Sequence, residues 1–553
     1  MDRIVECVPN FSEGRNMDVI NAIVEEIASV ENVYVLDVDP GAATNRTVVT
    51  FVGTPEGVKE AAFRGIKKAA ELIDMRYHKG EHPRMGATDV CPFVPVSGVT
   101  MEDCVQIARE VGERVGRELG IPVYLYEYAA TADYRRSLAD IRAGEYEALP
   151  EKLKDPKWKP DFGPAEWNER VAKTGATVIG AREFLIAYNV NLNTKDKKLA
   201  NKVAKVIREK GYKKKMEDGT KVQVPGKLKA VRAIGWYIEE YNRAQISINL
   251  TNYKITPLWK VFDTCVEEAE KVGLRVTGSE LVGLIPREAL LECGRHYLKK
   301  QGKCTGIPEE DIVHMAVVSL GLNEVAEFDP TEKVIEYKIE KLQKRKKLVD
   351  MSLKGFADEL SRDSPAPGGG SVAALSGALS AALASMVANL THGKKKYADV
   401  WEEMEEIAVE AQHLKDEYLR LVDRDTEAFD ALMAAMKLPK KTEEEMRIRN
   451  EKIQEATRRA IEVPLTSMRL SRRLLALAEA LAEKGNRNAL SDAGVAALMA
   501  YSAAYGAYLN VIINLPGVED EGYRESVRGE AEEILKEVVE RHRAVLEKVR
   551  GQL

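Results

Sequence analysis

Residues 78–86 read HKGEHPRMG, and this stretch holds two of the seven histidines among 553 residues. Histidine titrates near neutrality, so His78 and His82 are general acid–base candidates. On a helix their spacing would suit a zinc pair, but Gly80 and Pro83 break such a helix and no HExxH occurs. A metal-dependent hydrolase built on His78 and His82 is therefore an alternative reading, as is a pair that only satisfies loop hydrogen bonds. Arg84 in the same loop could grip a substrate carboxylate with two parallel hydrogen bonds, or be purely structural. Upstream, LDVDPGAATNRTV ends a strand with Asp37 and Asp39 two apart, hence on one face. Asp39 could orient a histidine or hold a cationic reacting group.

A second constellation lies far downstream. In SPAPGGGSVAALSGALSAALASM, Gly368, Gly369, Gly370 and Ser371 lead into a helix. Amides at a helix start can hold an anion, although the GKS or GKT of a nucleotide loop is missing. A plain helix start is the alternative. Next, LVDRDTEAFDALMAAMKLP carries Asp423 and Asp425, which cannot share a helix face. Asp425 has Leu421, Val422, Ala428, Phe429 and Leu432 at i−4, i−3, i+3, i+4 and i+7, all apolar. Asp423 neighbours Leu419, Arg420, Thr426 and Glu427 and falls on a largely polar face. A carboxyl on an apolar stripe needs a partner or a raised pKa. That marks Asp425 as an acid–base candidate, with a buried hydrogen-bonding aspartate as the alternative.

The elements that must position these residues change character along the chain. Residues 4–11, 33–39, 46–53, 89–96 and 122–128 read as strands, with helices over 16–29, 55–73 and 102–119. The order β-α-β-β-α-β predicts a split βαβ unit with helices on one face of a mixed sheet. A similar order returns: strands over 183–190, 228–238, 244–251 and 275–286, and helices over 195–210 and 257–272. Residues 155–177 form a long connector with two tryptophans, and long loops tend to carry function. Beyond the charged run EKLQKRKKLVD nearly everything has a helical period. The fold class is multidomain: α/β subdomains at 1–180 and 181–335, a linker at 336–350, and an all-α bundle at 351–553.

Composition narrows the function. The net charge of −6 and pI near 5.9 exclude a general nucleic-acid binder. Six cysteines without a CxxC pair predict free thiols in a reducing cytosol, hence a cytoplasmic protein. The N-terminus MDRIVECVPNFSEG lacks a basic region followed by an apolar one, so no signal peptide is expected. Residues 364–393 carry no Asp, Glu, Lys or Arg and are long enough to span a bilayer. Their Ala, Ser and Gly content predicts a closely packed soluble helix instead, as it does for residues 493–518; no membrane partner is expected.

The stretches VECVPNFSEGRN, LDVD, TNRTVVTFVG, HKGEHPRMGATDVCPF, RAGEYEALP, DFGP and SELVGLIP resemble glutamate formimidoyltransferase, from residue 1 to about 335. The resemblance implies transfer of a formimino group from N-formimino-L-glutamate to N5 of tetrahydrofolate, in histidine breakdown. It implies His82 as the catalytic histidine, taking the N5 proton and returning it to the departing glutamate nitrogen, with His78 in support. It also implies a folate-binding segment starting at DFGP, so Gly163 and Pro164 carry over. AEWNERVAKTG then departs from the pattern, leaving Trp167 as a candidate pocket residue. In the second half APGGGS, the D-x-D pair, GNRNALSDAGVAALM and YLNVIINL resemble formimidoyltetrahydrofolate cyclodeaminase over about 350–545. That family closes N10 onto the formimino carbon and expels ammonia, giving 5,10-methenyltetrahydrofolate. Its catalytic aspartate maps to Asp425, and APGGGS would sit at the folate site. Tetrahydrofolate is a co-substrate here, and no metal or redox cofactor is implied. Bifunctional members are ring-shaped homo-oligomers that pass folate between sites by its polyglutamate tail. Lys394–Lys396 in THGKKKY could hold that tail, or form a solvated basic turn. A folate-binding scaffold without turnover is the remaining alternative.

Overall fold

The computed structural model describes residues 3–42, 44–80, 83–217, 219–343 and 347–553. Two compact units divide the chain: Met1–Leu290 with Leu320–Gln343, and Leu291–Ser319 with Lys344–Leu553.

In the first unit the strands are β1 (Ile4–Cys7), β2 (Asn10–Phe11), β3 (Val33–Gly41), β4 (Arg46–Gly53), β5 (Thr88–Ser97), β6 (Val123–Glu127), β7 (Thr177–Ala181), β8 (Ile186–Leu192), β9 (Tyr212–Lys215), β10 (Lys221–Val224), β11 (Val231–Ile238), β12 (Arg243–Leu250) and β13 (Val276–Val282). β1 and β2 both lie between β4 and β5. They are two pieces of the single strand expected over 4–11, split where Pro9 lacks an N–H to donate. The first sheet runs β3–β4–β1/β2–β5–β7–β6, with the last three parallel. Helices Met17–Ala28, Pro55–Leu72 and Met101–Arg114 start on the caps Asn16, Thr54 and Thr100. They cover one face, where Val5, Cys7, Phe51, Phe93 and Ile179 form a core. The opposite face carries Glu6, Asn10 and Asp39, and in part a second core with Val90, Tyr124, Tyr126 and Val178.

The second sheet, β11–β12–β8–β13, is antiparallel throughout. Across the sheet, β11, β12, β8 and β13 occupy the same relative places as β3, β4, β1/β2 and β5. The expected recurrence of a split βαβ unit is therefore a recurrence of topology. Strands β7, β9 and β10 are not among the expected elements. β7 begins inside the supposed connector and slots between β5 and β6; it is buried throughout, so no alternation announces it. The hairpin β9–β10 is lysine-rich and mostly exposed, with no apolar face to read.

The second unit is helical. Its main helices are Gly369–Thr391, Trp401–Met436, Glu443–Lys484, Leu490–Asn514 and Glu521–Gln552. Helix Gly369–Thr391 is long and apolar enough to cross a membrane, and its buried residues are mostly Ala, Ser and Gly packed against neighbouring helices. Tyr418 fills the space beside Gly377, and its buried hydroxyl lies 2.6 Å from Ser467 O and 2.8 Å from Ser471 Oγ. The segment Leu291–Ser319 joins this unit although it precedes the charged linker in sequence. Gly306 O accepts from Asn389 Nδ2 at 2.7 Å, and Thr305 Oγ1 donates to Glu405 Oε1 at 2.7 Å.

Candidate active sites

His82 lies outside the described residues, but both flanks of its loop are fixed. On one side Asn45 acts as a clamp. Its Oδ1 accepts from Gly14 N (3.0 Å), its Nδ2 donates to Lys79 O (3.0 Å), and its carbonyl meets His78 Nε2 at 2.9 Å. Asn45 takes a positive φ of 49°, which asparagine tolerates better than most residues. His78 Nδ1 accepts from Arg84 Nε at 3.3 Å. Both ring nitrogens are therefore committed within the protein, and the network assigns a neutral ring with its proton on Nε2. Burial pushes the His78 pKa down, in keeping with that state. His78 supports the loop, and its nitrogens are not free to bind a metal in this arrangement.

Arg84 serves the other flank. Nη1 donates to Glu145 at 2.9 Å and to Glu147 at 2.8 Å. Nη2 donates to Glu147 at 2.7 Å and to His78 O at 3.4 Å, and Nε takes His78. All five N–H donors are occupied. The fork that the sequence offers to a substrate carboxylate is filled by the protein's own carboxylates, so Arg84 ties the histidine loop to RAGEYEALP. Next in the chain, Met85 N donates to Asp89 (2.9 Å), which is buried and paired with Arg142. Ser12 Oγ donates to Gly86 O at 2.7 Å.

Asp39 is exposed near the end of β3. The register Asp39–Val48–Asn10–Val90 puts Asp39 and Asn10 on the same face of the sheet, away from the helices. Arg46 Nη1 donates to Asn10 Oδ1 at 3.0 Å. Gly163 and Pro164 follow a segment stitched along β6. Asp161 accepts from Leu125 N (2.8 Å), Thr131 Oγ1 (2.6 Å) and Arg135 Nη1 (2.9 Å). Gly163 has φ +82°, and a Cβ there would lie 2.2 Å from Ile121 O, so the turn requires glycine. Trp167 is 38% exposed, with its ring 5.7 Å from that of Tyr146. Tyr146 N in turn donates to Arg84 O at 2.9 Å, which brings Trp167 near the histidine loop.

In the helical unit the glycine run and Asp425 meet. A Cβ on Gly370 would lie 2.1 Å from Asp425 Oδ1, so only glycine admits the carboxyl. Ser371 is fully buried, and its Oγ lies 3.1 Å from both Asp425 Oδ2 and Val422 O. The helix start expected to hold a ligand anion is filled by the chain's own carboxyl. Gly368 is its N-cap residue and contributes no side-chain cap, while Gly369 faces Asn510. No cation is paired with Asp425 among the described residues. Burial pushes its pKa up, against the hydrogen bonds from Ser371. Asp423 differs from expectation: it is half-buried and accepts from Leu348 N at 2.6 Å, tying the linker to helix Trp401–Met436. Lys394–Lys396 are exposed beyond the far end of helix Gly369–Thr391. Twenty-three residues separate the helix ends, about 33 Å at the usual rise.

The raised pKa of Asp425 has a pH signature. Ionisation costs more in the folded chain than in the unfolded one, so the cost is absent at acid pH. It appears as pH rises through the unfolded aspartate range, about 4, and is complete above the folded value. Asp425→Asn is therefore expected to melt at or above the wild-type temperature at pH 7, with the difference closing below about pH 4. Thermal melts across that range check this; a variant that melts lower at pH 7 would contradict it.

Residues 4–182 match the N-terminal subdomain of the formiminotransferase domain, 187–340 the formiminotransferase domain, and 352–533 formiminotransferase-cyclodeaminase. Formimidoyltransferase-cyclodeaminase from Rattus norvegicus is 46% identical over 538 residues, 97% of this chain and 97% of its own. The protein of the same name from Gallus gallus is 47% identical over 524 residues, 95% of this chain and 94% of its own. Glutamate formimidoyltransferase from Thermoplasma acidophilum is 48% identical over 301 residues, 54% of this chain and 93% of its own. Matched across both units and over nearly its whole length, the chain belongs to the formimidoyltransferase-cyclodeaminase family.

Proposed function

We propose that the two units carry out successive steps of folate chemistry in histidine degradation, with His82 and Asp425 as their acid–base residues. The first step moves the formimino group from N-formimino-L-glutamate to N5 of tetrahydrofolate. N5 attacks the formimino carbon, His82 takes the N5 proton, and the carbon–nitrogen bond to glutamate breaks as His82 returns the proton. Asp39 orients the histidine or the cationic group, while Asn45, His78 and Arg84 hold the loop. Gly163, Pro164 and Trp167 line the folate side. In the second step N10 attacks the same carbon. Asp425 accepts the N10 proton and protonates the nitrogen that leaves as ammonia, giving 5,10-methenyltetrahydrofolate.

The observation that carries this reading is the continuity of the match: the same bifunctional relatives match the chain across both units. The position of Asp425 supports it, since burial without a cation raises its pKa and favours a carboxyl that can both take and give a proton. Acid–base chemistry suffices for both steps, so turnover should survive chelation of metals. The six buried free cysteines support a reducing cytosol as the place of work.

The chain is also read as a homo-oligomer, ring-shaped as in the resemblance. Helix Gly369–Thr391 exposes Val372, Leu379 and Met386 every seven residues, and helix Leu490–Asn514 exposes Leu509 (55%) and Ile513 (75%). Apolar side chains left in water on two long helices fit a second copy of this chain.

His82→Ala should lower formimino transfer by roughly 10²–10⁴-fold. It should leave cyclisation of supplied 5-formiminotetrahydrofolate within twofold of wild type; Asp425→Ala should do the reverse. Both are read by separate assays of glutamate release and ammonia release, and near-normal transfer by His82→Ala would contradict the assignment. Leu509→Asp combined with Ile513→Asp should lower the mass in light scattering; an unchanged mass would remove this face as the contact.

A further inference from the structure

Glu6 sits in the middle of β1, between Val52 on β4 and Val94 on β5. Its neighbours Val5 and Cys7 enter the core beneath the helices, so Glu6 points from the opposite face, the face that carries Asn10 and Asp39. The side chain is 4% exposed, and no hydrogen bond reaches its carboxyl among the described residues. Arg182, just after β7, donates its N–H to Phe93 O at 3.1 Å. Its charge acts on Glu6 without forming an ion pair. Burial pushes the Glu6 pKa up to about 7, with Arg182 opposing. A structural carboxyl would be bonded, as Asp89 and Asp161 are.

Tyr126 shares this surroundings. Its ring lies across Gly180, where a Cβ would meet Cδ1 at 2.4 Å, and Tyr126 is 3% exposed. Its hydroxyl also has no hydrogen-bond partner among the described residues, and Arg182 acts on it as well. By register Glu6 on β1, Arg182 just after β7 and Tyr126 on β6 lie on one face of the sheet, an unpartnered carboxyl acceptor with a guanidinium and a phenol across β5 and β7 from it.

We propose that Glu6, Tyr126 and Arg182 read the pyrimidinone edge of the tetrahydropterin. Glu6 accepts from N3–H and the 2-amino group, and Tyr126 or Arg182 donates to the 4-oxo group. That edge carries two donors and one acceptor, the complement of a carboxyl and a donor group. Formiminoglutamate offers N–H donors only in its formimino group, which must sit at the histidine loop. That loop is anchored near Asn10 and Ser12, about 13 Å along the strand from Glu6 at the usual rise. The two carboxylates of formiminoglutamate would be repelled by Glu6. No step of the proposed mechanism uses these three residues, and the inference rests on the transferase reading.

The test is formiminoglutamate-dependent transfer by the full chain. Glu6→Gln should raise KM for tetrahydrofolate about 10- to 100-fold and leave KM for formiminoglutamate within twofold. Wild type should discriminate strongly against 2-desaminotetrahydrofolate, and Glu6→Gln should lose that discrimination. An unchanged KM for tetrahydrofolate, or equal discrimination by both proteins, overturns the proposal; so does a rise confined to formiminoglutamate. Should Glu6→Gln misfold by circular dichroism, Tyr126→Phe takes its place. It should raise the tetrahydrofolate KM about 3- to 10-fold, and no rise overturns the proposal. Wild type that transfers no formimino group at all sinks the transferase reading instead, so the two failures are separable.

Discussion

Taking a carboxyl out of water without an ion pair is costly, and this chain does so in each unit. Asp425 is seated at a helix start, admitted by the missing Cβ of Gly370 and held by Ser371. Glu6 is buried in a sheet with no hydrogen bond from the described residues. Both are pushed toward the neutral form. A fold that keeps such groups loses stability and gains protonatable or ligand-seeking sites. Gly370 and Ser371 at the start of helix Gly369–Thr391 make room for one of them, and the other lies on the sheet face that also carries Asn10 and Asp39.

The other charged groups near the histidine loop behave oppositely. Arg84 spends every donor on Glu145, Glu147 and His78; Asp89 binds Met85 N and Arg142; Asp161 binds Leu125 N, Thr131 and Arg135. Fully satisfied groups rigidify a loop at little cost. The histidine loop is therefore gripped on both flanks, by Asn45 before it and by Arg84 after it. Such a grip fits a residue that must return a proton to the atom opposite it.

Some of this was legible from spacing alone. The apolar neighbours of Asp425 at i−4, i−3, i+3 and i+4 fix its face because a helix has one period, and the structure buries Leu421, Val422 and Ala428 beside it. Alternation in β1 likewise separates Glu6 from Val5 and Cys7, but the sequence does not reveal that the second face is covered too. The sequence leaves Arg84 open between a substrate grip and a structural role because its carboxylate partners lie about sixty residues downstream, beyond any local pattern. The same limit hid the role of Asp423, whose partner Leu348 N belongs to the linker. β7 has no alternation because it is buried on both faces, and the grouping of Leu291–Ser319 with the helical unit reverses chain order.

The central claim is that one chain holds two separate acid–base sites acting in sequence on one folate. The most direct measurement follows the near-ultraviolet absorbance of methenyltetrahydrofolate after His82→Ala and Asp425→Ala proteins are mixed with formiminoglutamate and tetrahydrofolate. Neither protein should make product alone, and the mixture should, because each supplies the step the other lacks. A mixture that stays silent while wild type turns over, or a single variant that forms product unaided, would contradict the account.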